Sequence, residues 1–144
     1  MPKVSIIVPV FNEADNIFPL YHEVKKNCPD DFELLWVDDG SSDTTFSEIQ
    51  SLAITDTRVR CISLSRNFGH QNAIMAGMDY ALGEIIITMD GDLQHPASCI
   101  PVILENLVNG YDIVTTQRQK TQSIPLLKKI FSSLFYKFIN FISD

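Results

Sequence analysis

Short apolar runs alternate with longer segments of helical character along the whole chain, and no other feature limits the fold as much. Runs at 4–10, 32–38, 59–64, 84–90 and 112–116 are rich in Val, Ile, Leu or Phe. Nearly continuous hydrophobicity between turn residues suits strands covered on both faces. The segments at 14–27, 43–54, 70–82 and 97–109 read as helices. Strand–helix–strand repetition calls for right-handed crossovers and a mainly parallel sheet. The expected class is α/β, a Rossmann-like sheet flanked by helices. A chain of 144 residues, 45% of them hydrophobic, can bury one sizeable core.

Open α/β sheets bind ligands at the carboxyl ends of their strands. Four ends here carry polar or special residues: Pro9-Val10-Phe11-Asn12-Glu13, Asp38-Asp39-Gly40-Ser41-Ser42-Asp43, Ser65-Arg66-Asn67-Phe68-Gly69-His70, and Asp90-Gly91-Asp92-Leu93-Gln94-His95-Pro96. A parallel topology brings these ends to one edge, as a single site.

The last of these is the most telling. In an extended segment residues i, i+2 and i+4 point the same way, so Asp90, Asp92 and Gln94 would present three oxygen groups to one point. Such a cluster suits a hard divalent cation that keeps open positions for substrate phosphates. The bland alternative is a solvated acidic turn. At the end of the second strand, Asp38 or Asp39 can accept hydrogen bonds from a nucleobase or a ribose. Ser41 or Ser42 is expected to cap the helix that follows. Phe11 either stacks on a base or packs in the core. Glu13 either reaches a ribose or sits as a favourable charge at a helix N-terminus. Arg66 fits diphosphate oxygens, and Asn67 can cap its turn. His70 is a structural or a catalytic histidine. Ala76 and Gly77 are expected to let their helix lie close to the sheet. Arg118 either binds an anionic group or is a solvated cation.

Composition excludes some partners. A formal net charge of −7 disfavours nucleic acid, because phosphate contacts need clustered Lys and Arg. The cysteines Cys28, Cys61 and Cys99 are odd in number and show no Cys-x-x-Cys spacing, which suits reduced thiols in a cytosolic setting. Val4–Val8 is too short for a signal peptide, and no 18 uninterrupted apolar residues occur. Around 117–123 the chain becomes polar, dividing an expected core at 1–118 from a linker and helix at 119–144. Within 124–142, apolar residues at 127, 130, 131, 134, 135, 138, 141 and 142 make one broad helical face, with Lys128, Lys129 and Lys137 elsewhere. A basic amphipathic helix rich in Phe suits a membrane surface, a partner protein or a second copy of the chain.

Together, VSIIVPVFNE, WVDDGSSD, LSRNFGHQNAIMAGMDYA and MDGDLQHP resemble the glycosyltransferases of family 2, which have the GT-A fold. Within that family they look like the polyprenyl-phosphate glycosyltransferases, relatives of dolichol-phosphate mannose synthase and of bacterial undecaprenyl-phosphate sugar transferases. The resemblance implies that Asp39, helped by Asp38, Pro9, Phe11 and Glu13, holds the base and ribose. It implies that Asp90, Asp92 and Gln94 hold Mg²⁺ or Mn²⁺ on the donor diphosphate. Arg118 falls where the family has a phosphate-binding arginine. The implied partners are a nucleotide diphosphate sugar and a polyprenyl phosphate, at the cytoplasmic side of a membrane. Family members extend further, so this chain resembles their donor-binding half and first interfacial helix. A nucleotide-sugar-binding module without turnover is the alternative. Phosphoacceptor receiver domains also pair aspartates, but after the first strand and with a lysine ending the fifth. This chain has neither arrangement.

Overall fold

The computed structural model describes residues 3–117. In chain order it contains β1 (Val4–Val10), α1 (Ala14–Asn27), β2 (Phe32–Asp38), α2 (Thr45–Thr55), β3 (Val59–Ser63), α3 (His70–Tyr80), β4 (Ile85–Thr88), a 3₁₀ turn (Ala97–Cys99) and α4 (Ile100–Val108). Every residue of β1 and β2 is buried, as the unbroken apolar runs require of central strands. The four strands are parallel in the order β3-β2-β1-β4, with Val4 opposite both Phe32 and Ile85.

Side-chain alternation on β1 creates two cores. Val4, Ile6, Val8 and Val10 face one way and meet Ile17, Leu20, Tyr21 and Val24 of α1, with Ile49 and Leu52 of α2. Ile17, Leu20, Tyr21 and Val24 recur at helical spacing, and that stripe holds α1 together across Pro19. On the other face Ile7 and Val37 meet Ala73 of α3. Gly77 makes this close approach possible: a Cβ there would lie 2.4 Å from Ile7 Cγ2.

The expected strand at 112–116 does not form. Residues 113–117 carry no regular structure, and Ile113 is 82% exposed. Apolar β-formers need a neighbouring strand to satisfy their backbone groups, and among the described residues β4 pairs only with β1. Arg118 and the helix expected at 124–142 lie outside the described residues.

Candidate functional site

The connections β1–α1–β2–α2–β3 step the sheet in one direction, and the next connection returns to place β4 on the far side of β1. The strand order therefore reverses between β1 and β4, where an open sheet offers a crevice at its carboxyl edge.

The loops after β1 and β2 are laced together there. The Asn12 N–H donates to Ser41 Oγ at 2.9 Å, and the Ser42 N–H donates to Asn12 Oδ1 at 2.9 Å. The Glu13 N–H donates to Thr45 Oγ1 at 2.9 Å. Donors just ahead of α1 thus find acceptors on the loop after β2 and on the first residue of α2. The expected capping of the second helix by Ser41 or Ser42 is corrected here: α2 follows Thr44 and has no side-chain cap. Instead Asp43 Oδ1 accepts the Thr45 N–H at 3.0 Å. Hydrogen bonds from the Thr45 hydroxyl and N–H hold the Asp43 carboxyl below its ordinary pKa.

Asp38 and Asp39 are both buried, but they do different things. Asp38 lies beneath the turn, accepting the Ser41 N–H at 3.1 Å and the Ser63 hydroxyl at 3.3 Å. Asp39 Oδ1 accepts the Phe68 N–H at 2.8 Å, and its Oδ2 accepts the Gly69 N–H at 2.9 Å. Between β2 and that loop there is no room for a side chain: a Cβ on Gly40, itself at φ +75°, would lie 2.5 Å from the Arg66 carbonyl carbon. Asp39 therefore sets where α3 begins, and with it His70.

Beyond β4 the chain turns. Leu93 sits at φ +60°, and the Gln94 N–H donates to Asp92 Oδ1 at 2.9 Å. The extended path assumed for Asp90, Asp92 and Gln94 is interrupted at Leu93. Two imidazoles flank Asp90: His70 Nε2 lies 3.4 Å from Oδ1, and His95 Nδ1 lies 3.2 Å from Oδ2. One donor atom each from Asp90, Asp92 and His95 fall within 4.8 Å of one another. Gly91 keeps this cluster against β1, since a Cβ there would lie 2.6 Å from Val10 Cγ1. Two carboxylates and an imidazole fit a divalent ion that keeps open positions.

These ends enclose a cleft of about 400 Å³. It gathers Pro9, Phe11, Glu13, Asp39, Asp90 and Asp92 of the expected residues and adds Asn67 and His70. Asp38 and Arg66 do not line it; the Arg66 guanidinium stacks 4.5 Å from the centre of the Phe68 ring. Gln94 is exposed. Sequence reasoning gave no role to His95, although it adjoins Gln94 in the same motif.

The model of glycosyl transferase family 2 matches residues 5–142. The chain belongs to this family. It is 39% identical over 144 residues to a bactoprenol glucosyl transferase of Shigella phage SfV, covering 98% of this chain and 47% of that protein. It is 41% identical over 124 residues to an undecaprenyl-phosphate 4-deoxy-4-formamido-L-arabinose transferase of Proteus mirabilis, covering 83% of this chain and 38% of the relative. The chain thus spans less than half the length of these relatives. Among solved structures, a mannosyltransferase from Pyrobaculum calidifontis in complex with GDP-Man and Mn²⁺ superposes with a TM-score of 0.63 at 28% identity. That match covers 80% of this chain and 34% of the other. The parallel sheet with flanking helices is accordingly of the GT-A type.

Proposed function

We propose that this chain is the donor-binding part of a metal-dependent, inverting glycosyltransferase that moves a sugar from a nucleotide diphosphate sugar to a polyprenyl phosphate. The observation that carries this reading is the convergence of Asp39 with Asp90 and Asp92 on one cleft at the switch point of the sheet. The phage and Proteus relatives, named for bactoprenol and undecaprenyl phosphate, support the acceptor class. The Pyrobaculum enzyme, solved with GDP-Man and Mn²⁺, supports the donor class and the ion.

In this reading Asp39 accepts hydrogen bonds from the base or ribose, and Asp38 supports it by holding the turn beneath. Pro9 shapes the wall, the exposed ring of Phe11 stacks on the base, and Glu13 reaches the ribose. Asp90, Asp92 and Gln94 hold Mg²⁺ or Mn²⁺. Such an ion, when bound, neutralises charge on the departing diphosphate. Arg66 and Arg118 supply further positive charge to phosphate oxygens. The acceptor phosphate has a second pKa of about 6, so it is largely ionised at neutral pH and needs no strong general base. Its oxygen forms the new bond to the anomeric carbon as the diphosphate leaves from the opposite face with its bonding pair. Configuration at that carbon inverts. Residues 1–118 form the nucleotide-sugar core. The segment 119–144 lies outside the described residues; its sequence pattern, a polar stretch and then spaced apolar residues with Lys128, Lys129 and Lys137, suits contact with a membrane surface, at its cytoplasmic side, or with a second copy of the chain.

A module that binds nucleotide sugar without turnover is the second reading, favoured because the cleft residues with a role in this reading, Pro9, Phe11, Glu13, Asp39, Asp90 and Asp92, are all on the donor side. The test titrates nucleotide diphosphate with and without Mn²⁺ and, in parallel, assays sugar transfer to polyprenyl phosphate. Asp92→Ala is expected to abolish the Mn²⁺-dependent part of binding with an unchanged far-UV circular dichroism spectrum. Unchanged metal dependence in that variant refutes the assignment. Binding without transfer selects the second reading.

A further inference from the structure

We propose that His95 is a direct ligand of the divalent ion held by Asp90 and Asp92, and that its nitrogen tilts the centre toward Mn²⁺ over Mg²⁺. This rests on the metal-dependent reading above and extends it to a residue outside the expected ligand set.

The turn brings His95 back. With Leu93 at φ +60° and the Gln94 N–H tied to Asp92, the chain doubles over and returns His95 to Asp90. His95 Nδ1 then stands 3.2 Å from Asp90 Oδ2, and a donor atom of Asp92 completes a set within 4.8 Å. Two adjacent donors bound at about 2.1 Å to one octahedral ion lie about 3.0 Å apart, close to this separation. The His95 side chain is 54% exposed, so burial in a core does not explain its position beside a carboxylate. His70 approaches the other oxygen of Asp90, which leaves the Oδ2 side to His95 and the ion.

The donor types decide the selectivity. Carboxylates serve Mg²⁺, Ca²⁺ and Mn²⁺ alike, whereas imidazole nitrogen favours first-row transition ions. Mg²⁺ prefers oxygen ligands and gives up water reluctantly, so it gains little from His95. A centre with His95 should therefore separate Mn²⁺ from Mg²⁺, and one without it should not.

The test uses the full 144-residue chain. Mn²⁺ binding is followed by the loss of the free-ion electron paramagnetic resonance signal, and Mg²⁺ binding by competition. Electron spin-echo modulation detects nitrogen bound directly to Mn²⁺. His95→Ala is expected to lower Mn²⁺ affinity about tenfold or more, to leave Mg²⁺ affinity within about twofold, and to remove the nitrogen modulation. Circular dichroism confirms the fold of each variant. Wild-type Mn²⁺ affinity in His95→Ala overturns the proposal. So does an equal loss of both ions with no nitrogen modulation in the wild type, which would make His95 only an ion-pair partner of Asp90. Asp92→Ala separates the two levels of inference: if it too keeps wild-type Mn²⁺ affinity, the metal reading of the cleft fails, and not merely the role of His95.

Discussion

Removing the Asp39 carboxylate should loosen the start of α3 as well as weaken nucleotide binding. In the folded chain its two oxygens accept the Phe68 and Gly69 N–H groups at 2.8 and 2.9 Å, and the residue is 3% exposed. A hydrogen bond to a charged group contributes roughly 1.5–3 kcal/mol, so losing both costs at most about 3–6 kcal/mol. Phe68 is 43% exposed, and water can reach part of this loop. That lowers the expected cost of Asp39→Ala to about 2–4 kcal/mol. Asp39→Asn keeps one acceptor oxygen but turns an NH₂ toward the other N–H, so it should fall between Ala and wild type. With a urea m-value of about 2 kcal/mol/M, the Ala variant should unfold at a midpoint lower by about 1–2 M. Amide exchange at Phe68 and Gly69 should accelerate in step, which ties the loss to this loop. Nucleotide affinity should also fall by roughly 1.5–3 kcal/mol, with or without metal. A midpoint shift below about 0.2 M with unchanged exchange would refute the anchoring argument. An affinity loss below about twofold would remove Asp39 from the nucleoside contact.

Gly77→Ala places a Cβ 2.4 Å from Ile7 Cγ2 and 3.1 Å from Val37 Cγ2. Both neighbours lie in central strands, so thermal unfolding should show a loss of about 1–3 kcal/mol; a neutral or stabilising effect would mean that α3 stands further from the sheet. Glu33, far from the cleft, should make stability depend on acid. Burial pushes its carboxyl up, but hydrogen bonds from the Ser5 hydroxyl, the Leu82 N–H and the Arg60 guanidinium outweigh that, and its pKa lies below the ordinary value. A depressed folded-state pKa means that the unfolded chain binds more protons in acid. The stabilisation is full above the unfolded pKa of about 4.3 and is lost as pH falls through the folded value. Urea midpoints between pH 7 and pH 3 should fall less steeply in Glu33→Gln than in the wild type, and parallel slopes would sink the argument.

Much of the fold was legible in the chain because hydrophobic patterning is local. The buried runs Val4–Val10 and Phe32–Asp38 and the helix Ala14–Asn27 appear where the periodicity puts them. The run at 112–116 has the same local character and forms no strand, because a strand also needs a partner edge, and pairing is not encoded within five residues. The gathering of strand ends at one edge follows from parallel topology. What each end does there does not follow from it. Asp38 and Asp39 are neighbours of the same type, and only the folded chain, in which β2 ends at Asp38 and the turn begins at Asp39, places one beneath the turn and the other in the cleft. Ser41 and Ser42 look like local helix caps, yet their hydroxyls meet Asn12, 29 and 30 residues away. His95 draws no attention until Leu93 reverses the chain and sets it beside Asp90. The sequence by itself determined the layers and the edge where chemistry collects, since both arise from burial and chain direction. Tertiary structure alone decided which donor meets which acceptor, because a hydrogen bond or a ligand set depends on distances of a few ångströms between segments the chain leaves far apart.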